Sequence, residues 1–273
     1  MSEGLWKRFE GRGVVGYFLT AWQKEGVLAF FSTRRGGVSA GPYASLNLGF
    51  GTGDAPRRVL ENRRRLAEAL ELPLERWVAG QQVHGCRVAV VGPVDAGKGA
   101  ASPDDALPAT DGLVTASPGL VLTGYFADCV PLLFFSPVAR AIGVVHAGWR
   151  GTVAGIAELA LRVMEEALGA DRKELWAAVG PRIGPCCYTV GEEVAAGLAK
   201  LLGSEAGRAL VSAESRWRAD LGEANAALLR RSGIREERIV VFPACTACRH
   251  EEFFSFRRAQ GVTGRFAALI TLL

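Results

Sequence analysis

Between residues 112 and 145 lie four near-continuous apolar runs: Gly112-Leu113-Val114-Thr115, residues 120–125, residues 131–135 and residues 141–145. A strand with one face in water alternates apolar and polar side chains. These runs do not alternate, so each must be covered on both faces. Asp128 and Pro131 interrupt the longest apolar stretch and would be costly at mid-membrane depth, so the region reads as paired buried strands, with no membrane-spanning helix.

The flanking sequence supplies layers to cover them. A strand is expected over residues 27–33, followed by the loop Arg35-Gly36-Gly37, whose glycines allow close approach to a ligand. Residues 56–70 predict a helix, with Pro56 in its first turn, Asp54 placed to cap it, and Val59, Leu66 and Leu70 on one face. Short strands are expected over residues 77–83 and 87–91, on either side of His84. Residues 92–109 turn to glycine, alanine, proline and aspartate and read as a mobile surface loop. After the central strands come a helix over residues 152–168 stopped by Gly169, a strand over 175–179, helices over 192–202 and 219–232, and a strand over 238–242. The apolar runs 253–257 and 266–273 complete the pattern. Strands and helices intermix, which fits a layered α/β fold in one domain spanning residues 1–273.

At 273 residues, 49% apolar and 22% charged, the chain can bury a large core. The net charge of +4 is spread along the sequence apart from Arg63-Arg64-Arg65, read as a solvated helix face, and no nucleic-acid partner is expected. The N-terminal residues lack the apolar stretch of a secretory signal, so a cytoplasmic protein is expected. Six cysteines in such a chain read as reduced thiols or ligands.

The chemistry concentrates around two of only three histidines. His84 sits in Gln82-Val83-His84-Gly85, His146 closes an apolar run before Ala147-Gly148-Trp149-Arg150, and Cys129 lies at the junction of two strand-like runs. Two imidazoles and a thiolate make a three-ligand set that leaves a coordination position open. The ligands are 45 and 17 residues apart, too far for a compact zinc finger, so a sheet must bring them together. Two core histidines with an inert cysteine, or a Cys129 nucleophile activated by His146, remain open as readings of the same residues. Asp128 adjoins the thiolate as a candidate acid, base or partner to an imidazole, with a structural turn as the competing role. Arg34, Arg150 and Arg265 lie in glycine-bearing segments suited to phosphate, with surface ion pairing as the competing reading. Asn47 and Gln81 are candidates for contacts to ribose or base. Cys245 and Cys248 with His250 lack a second CxxC pair, and Cys186-Cys187 are adjacent, which is poor ligand spacing. These four cysteines read as buried or pocket-wall thiols.

Several strings add to these in order: Phe31-Ser32-Thr33-Arg34, Ser45-Leu46-Asn47-Leu48-Gly49, Asp111-Gly112-Leu113-Val114-Thr115, Ala127-Asp128-Cys129-Val130-Pro131, His146-Ala147-Gly148-Trp149-Arg150-Gly151-Thr152, Gly184-Pro185-Cys186-Cys187-Tyr188 and Phe253-Phe254-Ser255-Phe256-Arg257-Arg258. Together they resemble the family variously described as multicopper polyphenol oxidase (laccase), peptidoglycan editing factor and purine nucleoside phosphorylase of the YfiH type. The resemblance implies a four-layer α/β/β/α sandwich and a zinc site, with copper as the competing metal, formed by His84, Cys129 and His146. It also implies purine nucleosides and phosphate as partners: phosphorolysis of adenosine, inosine, guanosine or methylthioadenosine, and deamination of adenosine. Whether the chain is a monomer or a dimer stays open. Phe126, Thr110 and Arg182 stand where the family usually has threonine, often alanine and frequently cysteine. Of these, Phe126 is expected to alter pocket shape. A trinuclear oxygen-reducing copper cluster needs far more imidazoles than His250 can add, which argues against a copper-dependent phenol oxidase. The same residues also leave room for a cysteine-type amidase acting on peptidoglycan precursors and for a non-catalytic binding protein.

Overall fold

In the computed structural model, which describes residues 4–213 and 216–273, the central apolar runs become strands and divide between two sheets. Strands β1 (Trp6–Gly11), β2 (Val14–Leu19) and β3 (Val27–Ser32) open the chain, and helix α1 (Pro56–Leu70) follows. Strands β4 (Trp77–Ala79) and β5 (Val88–Val90) flank His84. The centre supplies β6 (Gly112–Thr115), β7 (Val121–Phe126), β8 (Val130–Ser136) and β9 (Ala141–Ala147). Next come α2 (Trp149–Val153), α3 (Ile156–Leu168), β10 (Trp176–Val179), β11 (Thr189–Val190) and α4 (Glu192–Leu202). The chain ends with α5 (Ala206–Ala209), β12 (Leu210–Ala213), β13 (Arg216–Ala219), α6 (Leu221–Arg231), β14 (Ile239–Val241) and β15 (Phe266–Leu272).

One six-stranded sheet runs β1-β2-β3-β15-β7-β4 and the other β14-β10-β8-β9-β6-β5, with a small sheet β11-β13-β12 beside them. Three apolar clusters give the layering. Phe31, Leu122, Phe126 and Ile270 of the first sheet meet Leu133, Phe135, Ile142 and Val144 of the second. The outer face of the first sheet is covered by Leu66 and Leu70 of α1 against Phe30, Val121 and Leu269. The outer face of the second is covered by α3, α4 and α6 through Ile156, Leu161, Leu198 and Leu228. The result is the expected α/β/β/α sandwich. Every residue of β8, β9 and β15 is buried, which is why their sequences do not alternate.

The elements differ from expectation where local chemistry intervenes. The first helix has the predicted bounds, but Arg63 is 2% exposed rather than solvated. The helix expected over 152–168 is two, because Gly155 at φ +76° separates α2 from α3. Strand β4 stops at Ala79, short of the expected 83, and residues 253–257 form no strand, although Phe253 and Phe254 are buried. The β1–β2 hairpin had no obvious signal in the sequence. Its two-residue turn, Arg12-Gly13, takes positive φ at both positions, with arginine where asparagine or aspartate would have advertised it. Among the described residues no helix is long and apolar enough to cross a membrane.

The connection from β7 to β8 passes from one sheet to the other through residues 127–129. Cys129 is therefore placed at one end of the sandwich, where both sheets meet. In the second sheet Pro131 pairs with His146 and Val130 with Ala147, so the register of β8 against β9 brings His146 to the same end.

Candidate active site

His84, Cys129 and His146 come together, with their ligand atoms within 4.8 Å of one another. The two imidazole rings stand nearly perpendicular with centroids 4.8 Å apart. His146 is buried and His84 exposed, so the site opens on one side. Gly148 lets the backbone pass: a Cβ there would lie 2.9 Å from the His84 ring and 3.2 Å from the Cys129 sulfur.

The residue that organises this triad is Asp111, which the sequence placed in a motif but did not mark as part of the site. Its side chain is fully buried, and it accepts hydrogen bonds from His146 Nδ1 at 2.8 Å and from the amides of Val83, His84 and Gly85 at 3.2, 3.0 and 2.9 Å. The three amides hold His84 at φ +60°, a left-handed conformation that non-glycine residues adopt at a cost. The bond to Nδ1 turns Nε2 of His146 toward the ligand set, a common arrangement around metals. Burial raises the Asp111 carboxyl, but the His146 hydrogen bond and the loop amides outweigh it and hold it below its usual range.

Burial also pushes the Cys129 thiol up, yet the charge of His146 and hydrogen bonds from His146 and His84 bring it down to about 6. Burial lowers His146, and the Cys129 thiolate and Asp111 raise it to about 9. Without a metal the pair is thiolate and imidazolium. With one, the thiolate is already formed and the imidazolium proton is displaced. Two imidazoles and a ready thiolate on one small locus suit zinc or copper.

A cavity of about 640 Å³ opens over the triad. Phe50, Tyr125, Trp149, Tyr188 and Phe256 contribute aromatic rings to its walls, and Arg63, Arg257 and Arg265 contribute guanidiniums. Arg63 donates to the carbonyls of Leu48, Gly99 and Ala100 and stacks between Phe50 and Tyr125. Arg257 donates to the Thr189 carbonyl, and Arg265 to those of Thr263 and Gly264. These partners are neutral, so the hydrogen bonds cancel none of the three charges, although Cys129 and Asp128 act on Arg265 from the same lining. Burial holds Arg63 and Arg265 below the ordinary guanidinium range.

Of the residues singled out in the sequence, Gln81, Asp128 and Arg265 line the cavity beside the three ligands. Asp128, at φ +87°, accepts from the Thr246 hydroxyl at 2.6 Å and from the Arg257 amide at 2.7 Å, so its carboxylate ties two loops behind Cys129. Arg150 is exposed and stacks on Trp149, at the rim. Arg34 and Asn47 lie outside the cavity walls. Arg34 donates to the carbonyls of Ala44 and His250, and Asn47, fully buried, holds the amides of Gly49 and Arg265 and bonds Asp54. Phe126 is buried against His146 and Phe266 and does not shape the cavity wall directly. Gln82, which sequence reasoning passed over, bonds the Tyr125 backbone at both its amide atoms and fixes that wall. Residues 92–109 are pinned by Arg63 at Gly99 and Ala100, and Gly99, Pro103 and Ala106 line the cavity.

The fold and site define a two-sheet α/β sandwich carrying two histidines and a cysteine that could ligate a metal, under a cavity lined by aromatic rings and guanidiniums. The chain belongs to the family described as multi-copper polyphenol oxidoreductase laccase, whose model matches residues 28–273. It is 43% identical over 246 residues, covering 90% of each chain, to purine nucleoside phosphorylase YlmD of Geobacillus stearothermophilus. It is 39% identical to the Bacillus subtilis protein of the same name, over 89% of this chain and 88% of that one. The crystal structure of the hypothetical protein YfiH of Bacillus licheniformis is similar, with a TM-score of 0.93, 36% identity and coverage of 99% of this chain and 100% of that one.

Proposed function

We propose that this chain is a zinc-dependent purine nucleoside phosphorylase that also deaminates adenosine. The observation that carries this reading is the composition of one cavity: flat aromatic walls for a base, three guanidiniums without carboxylate partners for phosphate, and a triad of candidate metal ligands in the same lining. The names of the relatives point the same way.

His84, Cys129 and His146 would hold the metal, which as a Lewis acid would polarise phosphate or base, or activate water for deamination. The protein's own groups do the rest. The aromatic walls take up the base and exclude water from its faces. Arg257 and Arg265 attract a phosphate dianion and orient it toward the sugar, and Arg63, committed to three carbonyls, adds its charge from within the wall. Asp111 keeps the His146 proton on Nδ1, and Asp128 fixes the turn that presents Cys129. Two imidazoles in the triad and three histidines in the chain cannot build a trinuclear copper cluster, which argues against oxygen-reducing copper chemistry, and hydrolytic or phosphorolytic Lewis-acid chemistry favours zinc over a single copper ion.

The test is adenosine turnover in phosphate buffer, with adenine, inosine and hypoxanthine separated, on metal-analysed wild type and His84→Ala. Adenine with ribose phosphate, or inosine, formed by wild type and abolished in the variant supports the proposal. A zinc-bearing wild type that leaves both adenosine and inosine untouched refutes it.

A second reading has its own support. Cys129, His146 and Asp111 are linked in the order of a nucleophile, base and orienting carboxylate, with the thiol already depressed to about 6. That is the arrangement of a cysteine amidase. Activity toward amide substrates that survives zinc removal and disappears on thiol alkylation would establish it.

A further inference from the structure

The spacing of Cys186-Cys187 and Cys245-Cys248 argued against a shared ion, but the fold brings the four residues together. The loop after β10 and the loop after β14 lie side by side, joined by a bridge between Arg182 and Cys245. They bring all four sulfurs within 4.8 Å of one another. Cys248 Sγ is 3.5 Å from both Cys186 Sγ and Cys187 Sγ. None of the four lines the active-site cavity, and two of them, Cys186 and Cys248, are exposed rather than buried.

We propose that these four cysteines form a second, structural metal site that binds one zinc ion as a tetrathiolate, with no ligand shared with the active-site triad. With zinc–sulfur bonds of about 2.3 Å, a tetrahedron has sulfur–sulfur edges of about 3.8 Å, close to the separations found here. A disulfide needs about 2.05 Å, so the thiols are packed but unbonded. Four sulfurs this close leave no room for a polynuclear iron–sulfur core with its inorganic sulfides. The Cys245 sulfur also receives the Gly184 amide at 3.2 Å and the Cys248 amide, donors suited to a thiolate. A Cβ at Gly184 would be a tight fit, 3.3 Å from the Cys245 Cβ and 3.4 Å from the Cys186 sulfur. On binding, the thiols lose their protons to solvent as four zinc–sulfur bonds form, with no change of oxidation state.

The site has a purpose in this fold. Ile183, in the first loop, donates its amide to the Asp128 carbonyl at 3.0 Å, and Thr246, between the two cysteines of the second, donates to the Asp128 carboxylate. Zinc would staple together the two loops that grip the residue before Cys129.

The test counts metal and identifies its ligands in the full chain, purified under reductant, loaded with excess zinc and desalted. Wild type is expected to retain about two zinc ions per chain and the His84→Ala/His146→Ala variant about one. Cobalt-loaded Cys129→Ser protein, which has no active-site thiolate and an intact cysteine cluster, is expected to show the thiolate-to-cobalt charge-transfer band and the strong visible bands of tetrahedral cobalt. Wild type holding a single zinc that the double histidine variant loses would overturn the proposal. So would a Cys129→Ser spectrum without thiolate bands, or cluster thiols recovered as disulfides that exclude metal.

Discussion

Asp111→Asn separates a structural from an electrostatic account of the triad, because the amide has two ways to sit and each fails differently. If its oxygen stays toward His146 and the His84 amide, its NH2 faces the amides of Val83 and Gly85, and two hydrogen bonds to a charged acceptor are lost. At the low end for such bonds, about 1.5 kcal/mol each, the loss is about 3 kcal/mol. For a chain of this size that corresponds to a fall of roughly 6 °C in Tm. If the amide flips, its NH2 faces the His84 amide, so that single bond is lost, and donates to His146 Nδ1; the ring proton moves to Nε2, and that nitrogen can no longer bind a metal. Either way the ligand set loses an orienting partner, for which zinc affinity falls about 10- to 100-fold. The assay is zinc competition against a chelator of known affinity, paired with thermal melts of the metal-free and metal-loaded protein. The two orientations then separate: a large Tm loss with moderate affinity loss marks the first, and a small Tm loss with severe affinity loss the second. Zinc affinity within about threefold of wild type, with Tm within about 2 °C, would refute the role assigned to Asp111.

Two further perturbations probe the same site. Alkylation of Cys129 in the metal-free protein should rise with a midpoint near pH 6, well below an ordinary thiol, and zinc should suppress it. A midpoint at the ordinary thiol value would disprove the thiolate–imidazolium pair. Stability behaves differently. The depressed thiol contributes stability that is full above its unfolded value and lost as pH falls through about 6. The raised imidazole contributes stability that is full below its unfolded value and lost as pH rises through about 9. Between those limits the folded and unfolded chains bind nearly equal numbers of protons at these two groups, so the pair leaves the metal-free Tm almost flat, while reactivity changes most steeply around the lower limit. Gly148→Ala places a methyl against the His84 ring and the Cys129 sulfur and should weaken zinc by about tenfold or more without changing the circular dichroism spectrum. Unchanged chelator competition in that variant would show that the triad is looser than its geometry.

What could be read from the sequence follows the range of the physics involved. The buried strands β7, β8 and β9 were legible because burial on both faces removes alternation from the sequence itself. The helix Pro56–Leu70 was legible from its period, and the same period held the answer to Arg63. It falls on the face of Val59, Leu66 and Leu70, and only the assumption that an arginine run is solvated hid its burial among three carbonyls. His84, Cys129 and His146 could be grouped from the sequence because few residue types can ligate a metal, and the fold does bring the three together. Asp111 was not grouped with them, because its partners lie 26 to 35 residues away and an aspartate before a glycine reads as a turn. Arg34 and Asn47 share motif strings with the site, yet they spend their hydrogen bonds on loop backbone and, for Asn47, on the side chains of Thr52 and Asp54. A motif records that a residue is needed without saying whether the ligand or the loop needs it. The four cysteines fail in the opposite direction: adjacent and CxxC spacings describe a chain in isolation, whereas two loops laid side by side give the Cys186–Cys187 pair the partners that its own sequence neighbours could not supply.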